Sequence, residues 1–173
     1  LSQRESRAVI GHSMGGYGAV KIGMLYPEVF GCMGGLAGGY DLEYKLKSRS
    51  SSYAYASTIK DWVQFNSLGW TSQICFTKSA AFIPNPERPP FYCDFPFVYT
   101  DTKPKKIVKV QEAYNKFMEH DILRMVDRCL DGLLNMRAIY IEFGINDSID
   151  PIEESRKLHE KLASLSVEHI YKE

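Results

Sequence analysis

Ala8-Val9-Ile10-Gly11-His12-Ser13-Met14-Gly15-Gly16 decides how this chain is read. A short apolar run, the look of a buried strand, meets a G-x-S-x-G turn, and a helical pattern leaves it. That order defines a nucleophile elbow, in which a serine hydroxyl is held clear of a sheet edge by a strained backbone. Gly11 and Gly15 are expected to be glycine because side chains there would collide across so tight a turn. The helix N-terminus behind Ser13 would point amide N–H groups, that of Met14 first, at an oxyanion.

Outward from the elbow, a helix is expected from about Gly15 to Tyr26, apolar around much of its surface and stopped by Pro27. Val29 to Leu36 reads as the next strand, and its glycines suggest close packing against the elbow helix. The periodicity fades between about Ala37 and Lys106. Gly38-Gly39, Ser48 to Ser52 and Pro84 to Pro90 are loop signals there. The same segment is dense in aromatics, among them Trp62, Trp70, Phe76, Phe91 and Phe95. Two readings stand side by side: a lid lining an acyl or aryl pocket, or a satellite core. Further on, Ile107 to Met118 and Ile122 to Leu133 carry helical spacing, and Arg137 to Phe143 reads as a buried strand. A helix from Pro151 to about Leu165 and a strand from Val167 to Tyr171 close the pattern. The expectation is one α/β domain over 1–173, with an aromatic insertion at about 40–106.

Composition narrows the function classes. Lys and Arg number 21, as do Asp and Glu, so no electrostatic case exists for nucleic acid or an anionic membrane. Lys103, Lys105, Lys106 and Lys109 read as a solvated face. No apolar run approaches the roughly 20 residues of a membrane span. Cys32, Cys75, Cys93 and Cys129 form no CxxC pair, so no metal site is expected. They read as buried thiols, with a Cys75–Cys93 disulfide as the alternative for an exported protein. No cofactor is implied. The compartment stays open, with a cytoplasmic location favoured.

A serine nucleophile needs a base, usually histidine, and the histidine needs a carboxylate to orient it. In elbow-bearing α/β folds the order is Ser, then acid, then His. Asp147 and Asp150 follow the Arg137–Phe143 strand and compete for the acid. Asp150 precedes Pro151 with Glu153 three residues on, which reads as a helix N-cap. Asp147 is therefore the expected acid. His12, His120, His159 and His169 all sit at the wrong points in this order, so the base is expected beyond Glu173. Almost nothing precedes the elbow either, so the chain reads as the C-terminal part of a longer domain.

Gly11-His12-Ser13-Met14-Gly15-Gly16-Tyr17-Gly18-Ala19 resembles the elbow of the Putative esterase (esterase D-like) branch of the α/β-hydrolases. That branch includes S-formylglutathione hydrolases, feruloyl esterases and mycolyltransferases. Tyr26-Pro27-Glu28-Val29-Phe30 is similar to the segment after the elbow there. Ala80 to Pro86, Pro89 to Tyr92 and His120-Asp121 resemble a microbial subgroup. Arg137 to Asp147 and Leu158 to Tyr171 resemble the acid loop and the helix and strand leading to the family histidine. The resemblance implies an α/β-hydrolase fold, a mostly parallel sheet with flanking helices, lacking its N-terminal strands and the end of the domain. It implies a serine esterase acting on a small-molecule carboxylic ester or thioester. Ser13 would be the nucleophile, Asp147 the acid and the Met14 N–H an oxyanion donor. His12, Trp62 and Trp70 are candidates for substrate contact. An acyltransferase with the same triad and an inactive hydrolase-like binding domain are the alternatives.

Overall fold

The computed structural model describes residues 3–173, which fall into two compact units. The first runs to Leu42 and resumes over Asp121–Glu173, and the second is Glu43–His120.

The first unit opens with β1 (Ala8–His12), α1 (Met14–Leu25) and β2 (Cys32–Leu36). α1 ends where the Tyr26 N–H reaches the Ile22 carbonyl at 2.9 Å and Pro27 can donate no further bond. The chain then passes through α2 (Leu42–Ser48), α3 (Ser50–Ala56), α4 (Trp62–Asn66), α5 (Trp70–Phe82), β3 (Phe97–Tyr99), β4 (Ile107–Lys109) and α6 (Gln111–Met118). It resumes the first unit with α7 (Ile122–Arg128), α8 (Leu130–Leu134), β5 (Ala138–Glu142), α9 (Glu153–Ser164) and β6 (Ile170–Lys172).

Four parallel strands form the sheet of the first unit in the order β1-β2-β5-β6. The register aligns His12, Leu36, Glu142 and Lys172 in one row at the C-terminal edge. Backbone bonds extend that row by one residue: Ser13 N–H to Leu36 O at 2.8 Å, Ala37 N–H to Glu142 O at 2.8 Å and Phe143 N–H to Lys172 O at 3.0 Å. One core holds the sheet to its helices. Val20 and Met24 of α1, Met33 of β2, Met125 and Val126 of α7, Ile139 and Ile141 of β5, and Leu158 and Leu162 of α9 are all buried in it. On β1, Val9 packs against this core while its neighbours Ala8 and Ile10 do not, and Ile10 is 67% exposed. Parallel sheets are ordinarily covered on both faces. Among the described residues, β1 is paired on one side only.

The second unit is built mainly of helices, with β3 and β4 as an antiparallel hairpin in which Phe97 pairs with Lys109 and Tyr99 with Ile107. Its core is aromatic. Phe65 meets Phe76 at 5.2 Å, Phe76 meets Phe95 at 5.0 Å, and Phe117 takes Tyr53 and Phe82 edge-on at 5.8 and 5.0 Å. The satellite-core reading thus holds for these rings, whereas Trp62 and Trp70 are 55% and 72% exposed.

Three expectations need correction. The stretch expected to be irregular carries α2 to α5. Helices α2, α3 and α4 have seven, seven and five residues, too few turns to show a periodic face. Ile107 to Lys109, expected to be helical, is strand: its β-branched pair suits the hairpin, and Val110 N–H bonds Pro96 O before α6 begins. The third concerns burial of the cysteines: all four are free thiols, as read from the sequence, but Cys32 and Cys129 are only partly buried. Burial pushes the Cys75 and Cys93 thiols up to about 11. We therefore expect Ellman's reagent to find four thiols in denaturant, with Cys75 and Cys93 reacting slowly in the native protein. A titre of two would restore the disulfide.

Candidate active site

Ser13 sits between β1 and α1 with φ 56° and ψ −120°. A non-glycine residue with positive φ is strained backbone, and such strain is characteristic of functional turns. The turn is tight enough to need glycine on either side of it. A Cβ on Gly11 would stand 2.2 Å from the Gly15 carbonyl oxygen, and one on Gly16 would stand 2.6 Å from the Leu36 oxygen. Both obstacles are backbone, which cannot step aside. Gly15 is different from expectation: a Cβ there would meet nothing within 4 Å. The tight contact is the backbone of Gly15 seen from Gly11, so only one of the two motif glycines is sterically required. Gly11→Ala should lower stability by about 3 kcal/mol, the upper end for overpacking because backbone must move. Gly15→Ala should cost well under half of that. Chemical denaturation of the two variants checks the ranking.

Met14 is the first residue of α1, so its N–H has no acceptor within the helix. Ser13 is solvent-exposed, as are its neighbours His12 and Met14. His12 is the last residue of β1. Four residues further along, Gly16 is buried against β2.

Asp147 lies on the loop that leaves β5 at the same sheet edge, two strands from β1. Neighbouring strands are about 4.8 Å apart, so the two strand ends stand about 10 Å from one another. Asp147 Oδ1 accepts the Ile149 N–H at 2.8 Å and the Asp150 N–H at 3.0 Å, and its own N–H reaches Gly144 O at 3.1 Å. The residue that the sequence left without a structural task thus holds its own loop. Asp150, expected as the N-cap of the next helix, is not. α9 begins at Glu153 with Ile152 at the cap and no side-chain capping bond. Glu154 N–H bonding Pro151 O, and Ser155 N–H bonding Ile152 O, wind a turn between Asp150 and the helix.

A buried polar cluster beside this edge was missed. Asp41, Asp121 and Glu154 are 5%, 2% and 1% exposed. Asp121 receives the Leu42 N–H at 2.7 Å and the Arg124 N–H at 3.0 Å. Glu154 receives the Asp41 N–H at 3.3 Å, and Lys157 binds the Asp41 carboxylate. These bonds tie the loop after β2 to the starts of α7 and α9. The signal was present in the sequence: Glu154, Leu158 and Leu162 share one face of α9 at a spacing of four, so an acid stood in an apolar stripe. Nearby, burial first and the Asp121 charge second raise the Tyr17 hydroxyl above its usual range.

The histidines divide cleanly. In the first unit, His159 Nδ1 and His169 Nε2 are 2.8 Å apart, and His169 Nδ1 lies 2.8 Å from the Val167 carbonyl. That carbonyl can only accept, so neutral His169 carries its proton on Nδ1 and receives the His159 N–H on Nε2. His169 precedes β6 and so sits at the sheet end opposite Ser13. In the second unit, His120 stacks on Phe82 at 4.6 Å, with Nε2 at 3.2 Å from the Phe82 oxygen. Trp62 and Trp70 belong to the second unit as well, Trp62 meeting Phe65 and Phe91 edge-on at 5.4 and 4.8 Å. No group of three His, Cys, Asp or Glu side chains suited to a metal occurs among the described residues. No helix among them is long and apolar enough to cross a membrane.

Residues 1–73 match the model of the family described as Putative esterase, in agreement with the resemblance carried by the elbow. Among solved structures, the chain is similar to an S-formylglutathione hydrolase from Staphylococcus aureus (TM-score 0.53, 13% identity, 99% of this chain and 47% of that one). It is similar also to a ferulic acid esterase (0.51, 13%, 99% and 44%). A third is a fluorophosphonate-binding serine hydrolase from S. aureus (0.54, 15%, 99% and 47%). No curated protein sequence matches. The fold is that of the α/β-hydrolases, and the chain spans a little under half the length of each of these three proteins.

Proposed function

We propose that this chain carries the nucleophile and the acid of a serine esterase acting on a small carboxylic ester or thioester. The observation that carries the reading is the backbone of Ser13. Its φ of 56°, at a strand-to-helix turn that the missing side chains of Gly11 and Gly16 allow to be tight, suits a hydroxyl held off the sheet edge where substrate can reach it. Ser13 Oγ attacks the carbonyl carbon as its proton passes to a histidine. The Met14 N–H, with the α1 dipole behind it, stabilises the oxyanion that forms. The same histidine then protonates the departing alcohol or thiol, and an acyl-Ser13 ester remains. Water, deprotonated by the histidine, releases the carboxylic acid and restores Ser13.

Asp147 would hold that histidine in the right tautomer and stabilise its charged form. His120, His159 and His169 are engaged elsewhere, and His12, although next to Ser13, makes no hydrogen bond to Ser13 or Asp147 among the described residues, so we expect the base outside residues 3–173. Fluorophosphonate treatment of the intact protein tests the reading directly. We expect a single adduct, mapped by mass spectrometry to the peptide holding Ser13. Labelling at another serine, or none, refutes it.

A further inference from the structure

We propose that the second unit holds a separate binding site for a small molecule bearing a phosphate or carboxylate oxyanion. The site is a half-open cavity of about 660 Å³ between the β3–β4 hairpin, the segment after α3 and the stretch around Arg88 to Phe95. Ligand cavities commonly fall between about 300 and 1,000 Å³.

Its lining carries three cationic side chains, Lys60, Arg88 and Lys105, and two carboxylates, Asp94 and Asp101. The Asp94 carboxylate is already taken by Arg88 Nε at 2.9 Å and Asn85 Nδ2 at 2.9 Å. Thr100 Oγ1 accepts the Lys106 N–H at 2.9 Å. Ser57 and Thr58 give their hydroxyl protons to the Ala54 and Tyr55 carbonyls. The charged donors left for a ligand are the outer nitrogens of Arg88, and Lys60 and Lys105, neither lysine being in an ion pair among the described residues. Asp101 is the one lining carboxylate set against the two lysines. Lys103 and Lys106 flank it on the same hairpin and add to the positive field. Phe95 and Tyr99 supply ring faces, with Lys105 Nζ 6.0 Å from the Tyr99 centroid. With Arg88 and Asp94 paired to each other, Lys60 and Lys105 outweigh Asp101 by one positive charge, and a lining of that sign with two aromatic side chains suits an anion on a compact ring. A sugar phosphate and a sugar acid both have that chemistry.

Calorimetric titration of the intact protein with glucose 6-phosphate, glucuronate and neutral glucose tests this without using ester hydrolysis as a readout. We expect at least one charged sugar to bind, glucose not to bind, and added salt to weaken the interaction. The tighter of the two charged sugars identifies the oxyanion. Lys60→Gln with Lys105→Gln should weaken binding roughly tenfold or more, since each lost charged contact is worth about that much. Asp101→Asn should tighten it. All three side chains lie on the surface, so these variants keep the fold. Absence of heat with both charged sugars at 10 mM (about one hundred times a 0.1 mM dissociation constant) overturns the proposal. So does equal binding of glucose, or affinity unchanged in the double lysine variant.

Discussion

Ser13→Ala should reduce nitrophenyl ester hydrolysis by the intact protein roughly 10⁴-fold or more, to the residual rate that binding and oxyanion stabilisation give without a nucleophile. The loss should appear in kcat rather than in KM, because the hydroxyl contributes to bond formation and little to substrate binding. Folding should be nearly untouched. Ser13 caps α1 without a side-chain hydrogen bond, so removing its Oγ leaves no group unpaired. Ser13→Gly sharpens the point. It should be as inactive as the alanine variant yet more stable by about 1 kcal/mol, because glycine adopts a positive φ without strain. A gain of stability with loss of turnover would mark the strain as serving catalysis. Turnover undiminished in Ser13→Ala refutes the nucleophile assignment outright.

Asp147 invites a three-way comparison. Asp147→Asn keeps a carbonyl oxygen to accept the Ile149 and Asp150 N–H groups, so the loop stays in place while the negative charge is lost. If Asp147 orients the catalytic histidine, kcat should fall roughly 10⁴-fold, the scale known for an acid-to-amide change in a serine triad. Asp147→Ala should lose a similar rate and also loosen the loop, costing about 1–2 kcal/mol for two unsatisfied amides at an exposed position. Asp150→Asn should retain activity within a few-fold. Should Asp150→Asn be the crippled variant and Asp147→Asn the active one, the acid has been assigned to the wrong residue. Melting curves alone would not distinguish these roles; the split between rate and stability does.

How far the sequence reveals this molecule depends on the length of each signal. Ala8 to Gly16 declares its strand, turn and helix within nine residues because steric demands there are absolute, and the structure repeats them almost residue for residue. β5 and α9 were legible for a different reason: Ile139 and Ile141 alternate, and Leu158 and Leu162 recur at helical spacing. The second unit was not legible. Its helices α2 to α4 are too short to complete an apolar stripe, and its stability comes from ring-on-ring packing that periodicity does not encode. Local chemistry misled in two places. Asp150-Pro151 has the composition of a helix start, yet a turn at Pro151–Ser155 delays the helix, and Asp147 bonds its own loop through contacts three residues long. Of the buried acids, Glu154 shows itself by standing in an apolar stripe, whereas Asp41 and Asp121, buried by tertiary folding, leave no trace that a linear pattern can show.

Among the described residues, the strand that delivers Ser13 pairs with β2 alone, and the serine amide is moored to the carbonyl of Leu36. A backbone held from one side swings more freely than one clamped from both. Any extended segment laid along the bare margin of β1, covering Ile10 as it did so, would stiffen the mount of the reactive hydroxyl. The speed at which an electrophile captures Ser13 is therefore also a gauge of how completely the sheet has been walled in around it.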